Sequence, residues 1–334
     1  MPPARVGPGV VRRLLFVLRR LAQAVPTVLV IVVINFFLLH LAPGDAATVL
    51  AGEAGSATPE YMAALRVKFG LDHPLYVQLF DYLRAMLSLD LGTSFRHNQP
   101  VLTLILGRLG PTLLLMATTF ALSVGIGVLL GVLAATGLRT WRDNLISVLA
   151  LVSYATPLFW LGLMMIILFS INLGWLPTSG METIGAFYGG WARILDVARH
   201  LVLPAVTLSL FYLAVYTRLM RAAMLEQAGM DYVTTARAKG LSERRITMVH
   251  VLRNALLPVV TIAGIQLGGL IGGSVVVETI FDWPGLGHLA FESLFARDLN
   301  LLFGIFFLSA CLVVLVNLAV DVVYSFLDPR IEVG

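Results

Sequence analysis

The chain has 334 residues, of which 58% are hydrophobic and 13% charged. Its mean hydropathy is +0.89, more apolar surface than a water-soluble core could hide, so a membrane is its natural solvent. The net charge of +4 and pI near 9.4 do not indicate nucleic-acid binding, because the basic residues lie beside apolar runs instead of forming a patch with interleaved aromatics. The single cysteine, Cys311, excludes an internal disulfide and argues against a thiolate metal cage.

Crossing a hydrocarbon core takes about 20 mostly apolar residues in a helix. Six runs free of Asp, Glu, Lys and Arg are of that order: Leu21 to Leu41, Pro111 to Leu138, Asn144 to Leu176, Leu201 to Thr217, Ala255 to Val277 and Asn300 to Val320. The first follows Arg12, Arg13, Arg19 and Arg20 and precedes small residues, as a signal peptide would. Its apolar core is longer than a secretory segment needs, so an uncleaved first span is expected. The third contains Pro157, which removes a backbone donor and predicts a kink. The fourth is the shortest, and Arg218 and Arg221 are expected to snorkel from its end. With the N-terminus inside, 15 of the 23 basic residues face the cytoplasm and 12 of the 19 acidic residues face out, so both termini are predicted to be cytoplasmic.

The resulting division is a cytoplasmic N-terminus over 1–20, a first span over 21–41, a large outer segment over 42–107, and five spans over 108–334 with an inner loop over 226–254. The outer segment carries two helix signals. Thr58 can cap a helix that opens at Pro59 and closes at Gly70. A second is predicted from about Pro74, where Leu75, Leu79, Leu83 and Leu87, with Tyr82 and Met86, form an apolar face able to rest on the span ends. That face is either a packed cap or a docking surface for a protein that delivers solute.

The loop over 226–254 is short and basic. Gly240 can take the left-handed conformation that ends one helix, and Ser242 can cap the next. Physics alone reads it as a positively charged loop obeying the topology rule; the same shape suits insertion into a partner. In the fifth run, Gly264, Gly268, Gly269, Gly272 and Gly273 allow close helix approach, as an interface or as pore lining. Polar residues inside spans are candidates for a solute path, among them Asn35, His40, Ser123, Gln266, Ser274 and Asp321, though most of them are expected to be structural. Glu278 and Asp282 mark the outer mouth, with a gating or docking role.

No P-loop exists: the only lysines are Lys68, followed by Phe69, and Lys239, followed by Gly240. Neither a metalloprotease helix motif nor a nucleophile elbow is present. The chain therefore has no visible catalytic constellation of its own. An ion-coupled secondary transporter would place ionisable groups or broken helices near the midplane, and an intramembrane enzyme would need a nucleophile and base; the spans are almost free of charge, and neither pattern is evident.

Asp231-Tyr-Val-Thr-Thr-Ala236-Arg-Ala-Lys-Gly240-Leu-Ser242, followed by Leu252-Arg-Asn-Ala-Leu-Leu-Pro258, resembles the cytoplasmic signature loop of ABC importer permeases of the dipeptide, oligopeptide and nickel branch. Thr234 and Thr235 replace the first two letters of the general Glu-Ala-Ala form, Ala236 keeps the third and Gly240 the glycine. Pro43-Gly44-Asp45, Leu91-Gly-Thr-Ser-Phe95, Gly174-Trp-Leu-Pro-Thr-Ser-Gly180, Val277-Glu-Thr-Ile-Phe-Asp-Trp-Pro-Gly-Leu-Gly287 and Asp328-Pro-Arg330 resemble the same branch in order and spacing. The resemblance implies an all-α, six-span type I importer permease in the bacterial inner membrane, with an enlarged periplasmic segment and a cytoplasmic coupling helix. It implies a second homologous permease, two ABC ATPases that bind ATP and Mg, an external solute-binding protein, and no cofactor on this chain. Peptides are the leading solute, with nickel chelates, glutathione-like tripeptides or sugars as alternatives. By the same resemblance Asp231, Tyr232, Ala236, Ala238, Lys239, Gly240, Leu241, Arg244 and Arg245 form the ATPase-coupling loop, while Gly264, Gly268, Gly272, Ser274, Glu278 and Asp282 belong to the permease interface or pathway.

Overall fold

The computed structural model describes residues 8–41, 72–94 and 96–327, with Thr58, Glu60, Ala63 and Val67; at 8–21, 24, 39, 273 and 321–327 it describes backbone alone. The helix expected from Thr58 to Gly70 falls largely outside the described residues, as do Pro43-Gly44-Asp45 and Asp328-Pro-Arg330. Eleven helices follow one another among the described residues: α1 Pro8–Leu41, α2 Leu75–Leu87, α3 Val101–Thr136, α4 Trp141–Ala155, α5 Leu158–Met165, α6 Gly190–Ala228, α7 Asp231–Ala238, α8 Glu243–Arg245, α9 Leu252–Ile280, α10 Leu286–Phe295 and α11 Leu299–Leu327. π-Helical segments extend α5 over Ile166–Asn172 and lead into α9 over Ile246–Val251.

Four of these helices (α3, α6, the helix that ends in α9, and α11) are long and apolar enough to cross a membrane, and the α4/α5 pair makes five if counted as one broken span. The described side chains of α1 contribute a shorter apolar stretch, Val25–Leu38. The expected third span is broken, not merely kinked: α4 and the α5 segment meet at 106°. Thr156 before the proline is extended at φ −78°, ψ 128°, and Pro157 is extended too at ψ 132°. A residue preceding proline avoids the helical region, and proline has no N–H to resume the ladder, so two consecutive extended residues redirect the chain.

The chain forms two compact units, one from residues up to Leu109 with those from Leu289 onward, the other from Gly110 to His288. The last span thus groups with the N-terminal part, a different division from five spans starting at 108. In the first unit α1 packs against both α11 and α2. The Leu91–Ser94 stretch is fastened to the start of α11. Ser94 Oγ donates to Asp298 Oδ2 at 2.5 Å, Asp298 Oδ1 accepts the Leu301 amide at 3.2 Å, and Asn300 Nδ2 reaches the Thr93 carbonyl at 3.3 Å.

In the second unit α6 is the hub, packed on α4, α5 and α9. Two-thirds of its most apolar stretch is buried, against about a third or less in the other long helices. Glycine lets α3 approach it closely. A Cβ on Gly127 would come within 2.7 Å of Tyr216 Cβ, and one on Gly131 within 2.5 Å of Met220 Cβ and 2.8 Å of the Thr217 carbonyl. This is small-xxx-small packing, on a helix where the sequence had drawn attention elsewhere. Gly131→Ala should therefore lower the thermal midpoint of the purified protein, at an overpacking cost of about 1–3 kcal/mol. Gly269→Ala, whose added Cβ would meet nothing within 4 Å, should leave it unchanged or slightly raised; unfolding both variants in the same detergent checks the contrast.

Candidate functional site

Two constellations in the second unit carry the motifs singled out by sequence. The first is the loop between α6 and α9. Its helix α7 ends in a Schellman motif: the Leu241 amide bonds the Ala236 carbonyl at 3.3 Å and the Gly240 amide bonds the Arg237 carbonyl at 2.9 Å. Gly240 sits at φ +75°, the left-handed conformation expected of it, where a side chain costs strain even though a Cβ there would meet nothing within 4 Å. Ser242 occupies the N-cap position of α8 at φ −66°, ψ 144°, but its hydroxyl makes no capping bond. Its carbonyl accepts the Ile246 amide at 3.0 Å, so backbone alone starts this helix.

The loop has an inner and an outer face. Val233, Ala236 and Ile246 are buried in the core of the chain, with Tyr232 and Leu241 packed against it. Tyr232 donates its hydroxyl to Gln227 Oε1 at 3.0 Å. Asp231, Thr234, Thr235, Ala238, Lys239, Gly240, Arg244 and Arg245 are exposed. Of the nine coupling residues expected from sequence, Ala236 is thus an anchor within its own chain, Tyr232 and Leu241 flank it, and the other six form the presented surface. Arg237, not among them, spans the turn to Glu243 with Nε and Nη2 bonds of 2.7 and 3.2 Å. Both side chains are exposed, so this pair shapes the turn more than it stabilises the fold.

The stem of the loop is fixed by a pair the sequence did not reveal. Arg221 on α6 does not snorkel freely. It grips Asp143 at the start of α4, Nε to Oδ1 at 2.7 Å and Nη2 to Oδ2 at 2.8 Å. Asp143 also accepts the Arg139 amide at 3.1 Å and is buried. Arg218, one turn earlier, lies over the Tyr154 ring at 4.6 Å, a cation–π contact. Asp143 precedes the charge-free run that begins at Asn144. The Arg221 hydrogen bonds, helped by the Arg139 amide, hold its carboxyl down at about 2. A folded pKa below the unfolded one stabilises at pH above the unfolded value of about 3.9, and that stability is lost as pH falls toward 2. The gap in thermal midpoint between wild type and Asp143→Asn should accordingly be constant above about pH 4 and close between about pH 4 and 2.

The second constellation is the turn after α9, within Val277 to Gly287. Here the expectation of an exposed mouth changes for Glu278, whose side chain is completely buried. Oε1 accepts the Thr112 hydroxyl at 2.9 Å, and Oε2 accepts the amides of Gly287 at 2.6 Å and His288 at 3.1 Å. The Leu286 amide bonds Thr112 Oγ1 at 2.8 Å. The first three amides of α10, which no helical carbonyl could satisfy, are thereby all taken by two side chains, with a carboxylate at the positive end of the helix. Trp283, fully buried, donates Nε1 to the Pro111 carbonyl at 2.9 Å. A Cβ on Gly285 would collide with the Glu278 carboxylate, and one on Gly287 would lie 2.6 Å from Val275 Cα.

Asp282, mostly exposed, stands at φ +50° and faces His288 Nε2 at 3.3 Å. It is the left-handed cap of α9, with the Trp283 amide on the Glu278 carbonyl at 2.8 Å. The same turn receives the Gly174 to Gly180 motif through the Gly180 amide, 2.8 Å from the Phe281 carbonyl. Ser123 is buried and returns its hydroxyl to the Phe120 carbonyl, so it is spent on its own helix; Ser274, also buried, lies 2.9 Å from the Ile271 carbonyl and in hydrogen-bond reach of the Glu278 carboxyl one turn on. Of the α9 glycines, Gly264 is buried and Gly268 half-buried, while Gly269 and Gly272 are exposed. Glu278→Ala would strand three buried donors and should cost about 3 kcal/mol or more; Glu278→Gln, which keeps the shape, should cost less, as thermal unfolding of the two variants would register.

Comparison with known proteins bears on both constellations. Residues 127–333 match the family described as binding-protein-dependent transport system inner membrane component, and residues 13–117 match its N-terminal membrane-component family. The chain is 41% identical to a putative peptide transport system permease protein of Brucella abortus over 95% of this chain and 98% of that one. It is 42% identical to the oligopeptide transport system permease protein AppB of Bacillus subtilis, over 95% and 99%. The dipeptide transport system permease protein DppB of Escherichia coli is 38% identical, over 95% and 98%. Among solved structures, a chain of the MetNI methionine ABC transporter in an inward-facing conformation matches with a TM-score of 0.55 at 19% identity, over 67% of this chain and 96% of that one; that likeness speaks for the fold.

Proposed function

The chain belongs to the inner membrane components of binding-protein-dependent transport systems, and on that premise we propose that it is the permease subunit of an ATP-driven importer of di- or oligopeptides. The observation that carries the mechanism is the exposed α7–Gly240–α8 surface on a buried footing of Val233, Ala236 and Ile246. Support for peptides as the solute comes from the near full-length similarity to permeases named for them.

In this reading the loop over 226–254 lies in the cytoplasm, as do both termini, and Asp231, Ala238, Lys239, Gly240, Arg244 and Arg245 meet a groove on a partner ATPase. ATP and Mg are held there, since this chain has no phosphate-cradling loop. A second homologous permease completes the pathway, and an external binding protein delivers the solute. The α9 face that carries exposed Ile265, Gly269, Gly272 and Val276, at helical spacing, is suited to the companion permease. When the ATPases close, the two coupling loops are pressed together. The push enters α6 and α9 through the π-helical Ile246–Val251 segment, on which α7 and α8 are seated and which packs on both long helices, and the Arg221–Asp143 pair carries it from α6 to α4. Access to the pathway then alternates by near-rigid movement of the helices.

Gly240→Val tests the assignment. It imposes about 1–2 kcal/mol of backbone strain at an exposed turn, so the chain should still insert and fold. Labelled dipeptide uptake by the reconstituted transporter should fall by roughly tenfold, the factor that such an energy represents. Unchanged uptake with normal ATPase binding would overturn the coupling role.

A further inference from the structure

The broad apolar face of α2 has two sides, and only one is used by the chain. On one, Leu79 and Leu83 are half-buried and Met86 is buried. On the other, Tyr76, Phe80 and Leu87 recur at i, i+4 and i+11, a single line down the helix. These three are 75%, 66% and 78% exposed, too much apolar surface in one stripe for water to cover without cost.

Where α2 meets α1 fixes what lies beside that stripe. His40 Nε2 is 3.0 Å from Gln78 Oε1, and the Phe36 ring is 5.7 Å from that of Tyr82. Those contacts engage the last turns of α1, where its apolar stretch Val25–Leu38 ends. Phe37, Leu38 and Leu41 of α1 are exposed at the same level, and Val30 and Ile34 continue that exposure down the helix. The helix that carries the outer stripe therefore lies beside the end of α1 that carries this exposed apolar surface. Asp81, exposed, falls outside the stripe on the side left for water, while Arg84, exposed and one turn beyond Phe80, borders it with a long side chain able to reach the headgroups. A tyrosine matches the residue types that settle at a bilayer boundary, and phenylalanine and leucine match those that line the apolar face of an interfacial helix.

We propose that α2 is an interfacial helix whose Tyr76, Phe80 and Leu87 face is seated in lipid at the headgroup–acyl boundary, continuing the lipid-facing surface of α1. Such a helix buries its apolar side about 5–10 Å below the headgroups, and its contacts with Phe36 and His40 place it at the outer end of α1. The seat rests on the reading of α1 as the first membrane span. It gives the segment after that span a task within the membrane: holding the outer end of α1 at a fixed depth.

The lone native cysteine makes the test direct. On a Cys311→Ser background, single variants Tyr76→Cys, Phe80→Cys, Leu87→Cys, Asp81→Cys and Val30→Cys are spin-labelled in the assembled transporter reconstituted in phospholipid vesicles. Collision with oxygen, which concentrates in lipid, is compared with collision with a water-soluble nickel chelate. Labels at 76, 80 and 87 should favour oxygen, the label at 81 should favour the chelate, and the label at 30 should favour oxygen most. If 76, 80 and 87 favour the chelate, the face is in water and the proposal fails. If they are shielded from both reagents, a protein covers the face and the proposal fails equally. A label at 30 that favours the chelate would show instead that α1 is not the first span.

Discussion

The buried carboxylate of Glu278 is the constraint around which the second unit is arranged. A charge removed from water is tolerated only where donors replace its hydration. Here they are the Thr112 hydroxyl and the amides of Gly287 and His288. The three donors bind two different pieces of chain to the end of α9. Thr112 brings in α3, with the Trp283 to Pro111 bond beside it, while Gly287 and His288 are the opening of α10. Of the two glycines of the Trp-Pro-Gly-Leu-Gly stretch, Gly285 is required by the same carboxylate, whose place a Cβ would occupy, and Gly287 by the Val275 backbone with the carboxylate just beyond it. What reads in sequence as a string of turn residues is one buried acid and the space cleared for it.

Much of the helical plan was legible because charge-free runs of membrane length are a direct physical signal. The Gly240 turn was legible for a local reason: helix formers on both sides of a glycine leave little choice of conformation. Its footing was less so. Ala236 looks like a contact residue when only the motif is seen, but its 7% exposure makes it part of the core. The partner of Arg221 was hidden because Asp143 is 78 residues away, and no local periodicity links the two. The same distance problem hid the roles of Glu278 and Asp298, whose partners Thr112 and Ser94 lie on remote segments. The break at Pro157 was underread because a run without charges shows only that a segment is apolar, not that its helix is continuous.

The two glycine clusters show why composition alone misplaces tight packing. Five glycines in α9 drew attention, but two of them, Gly269 and Gly272, face open space. The close approach belongs to Gly127 and Gly131, spaced four apart on α3 against Tyr216 and Met220. A glycine in a span is either filled by a neighbour's bulk or left for one, and only the surroundings distinguish these. In α3 the neighbour is α6 of the same chain; at Gly269 and Gly272 of α9 the space is left open.

The helices α7 and α9 end by the same device, and the difference in residue choice follows from what each end must do. Both stop in a left-handed residue whose following amide turns back onto the helix. At Gly240 the surroundings are empty, so the conformation alone selects glycine, and the turn stays free to be gripped from outside. At Asp282 a non-glycine residue is held at φ +50° because its carboxylate faces His288 and Trp283 behind it is locked in the core. Aspartate is among the residues least penalised in that region. One end of α9 is thereby pinned through Glu278, and the other is joined to an exposed loop on a buried footing. A helix fixed at one end and reached from outside at the other is suited to act as a lever, which is the part the proposed coupling assigns to it.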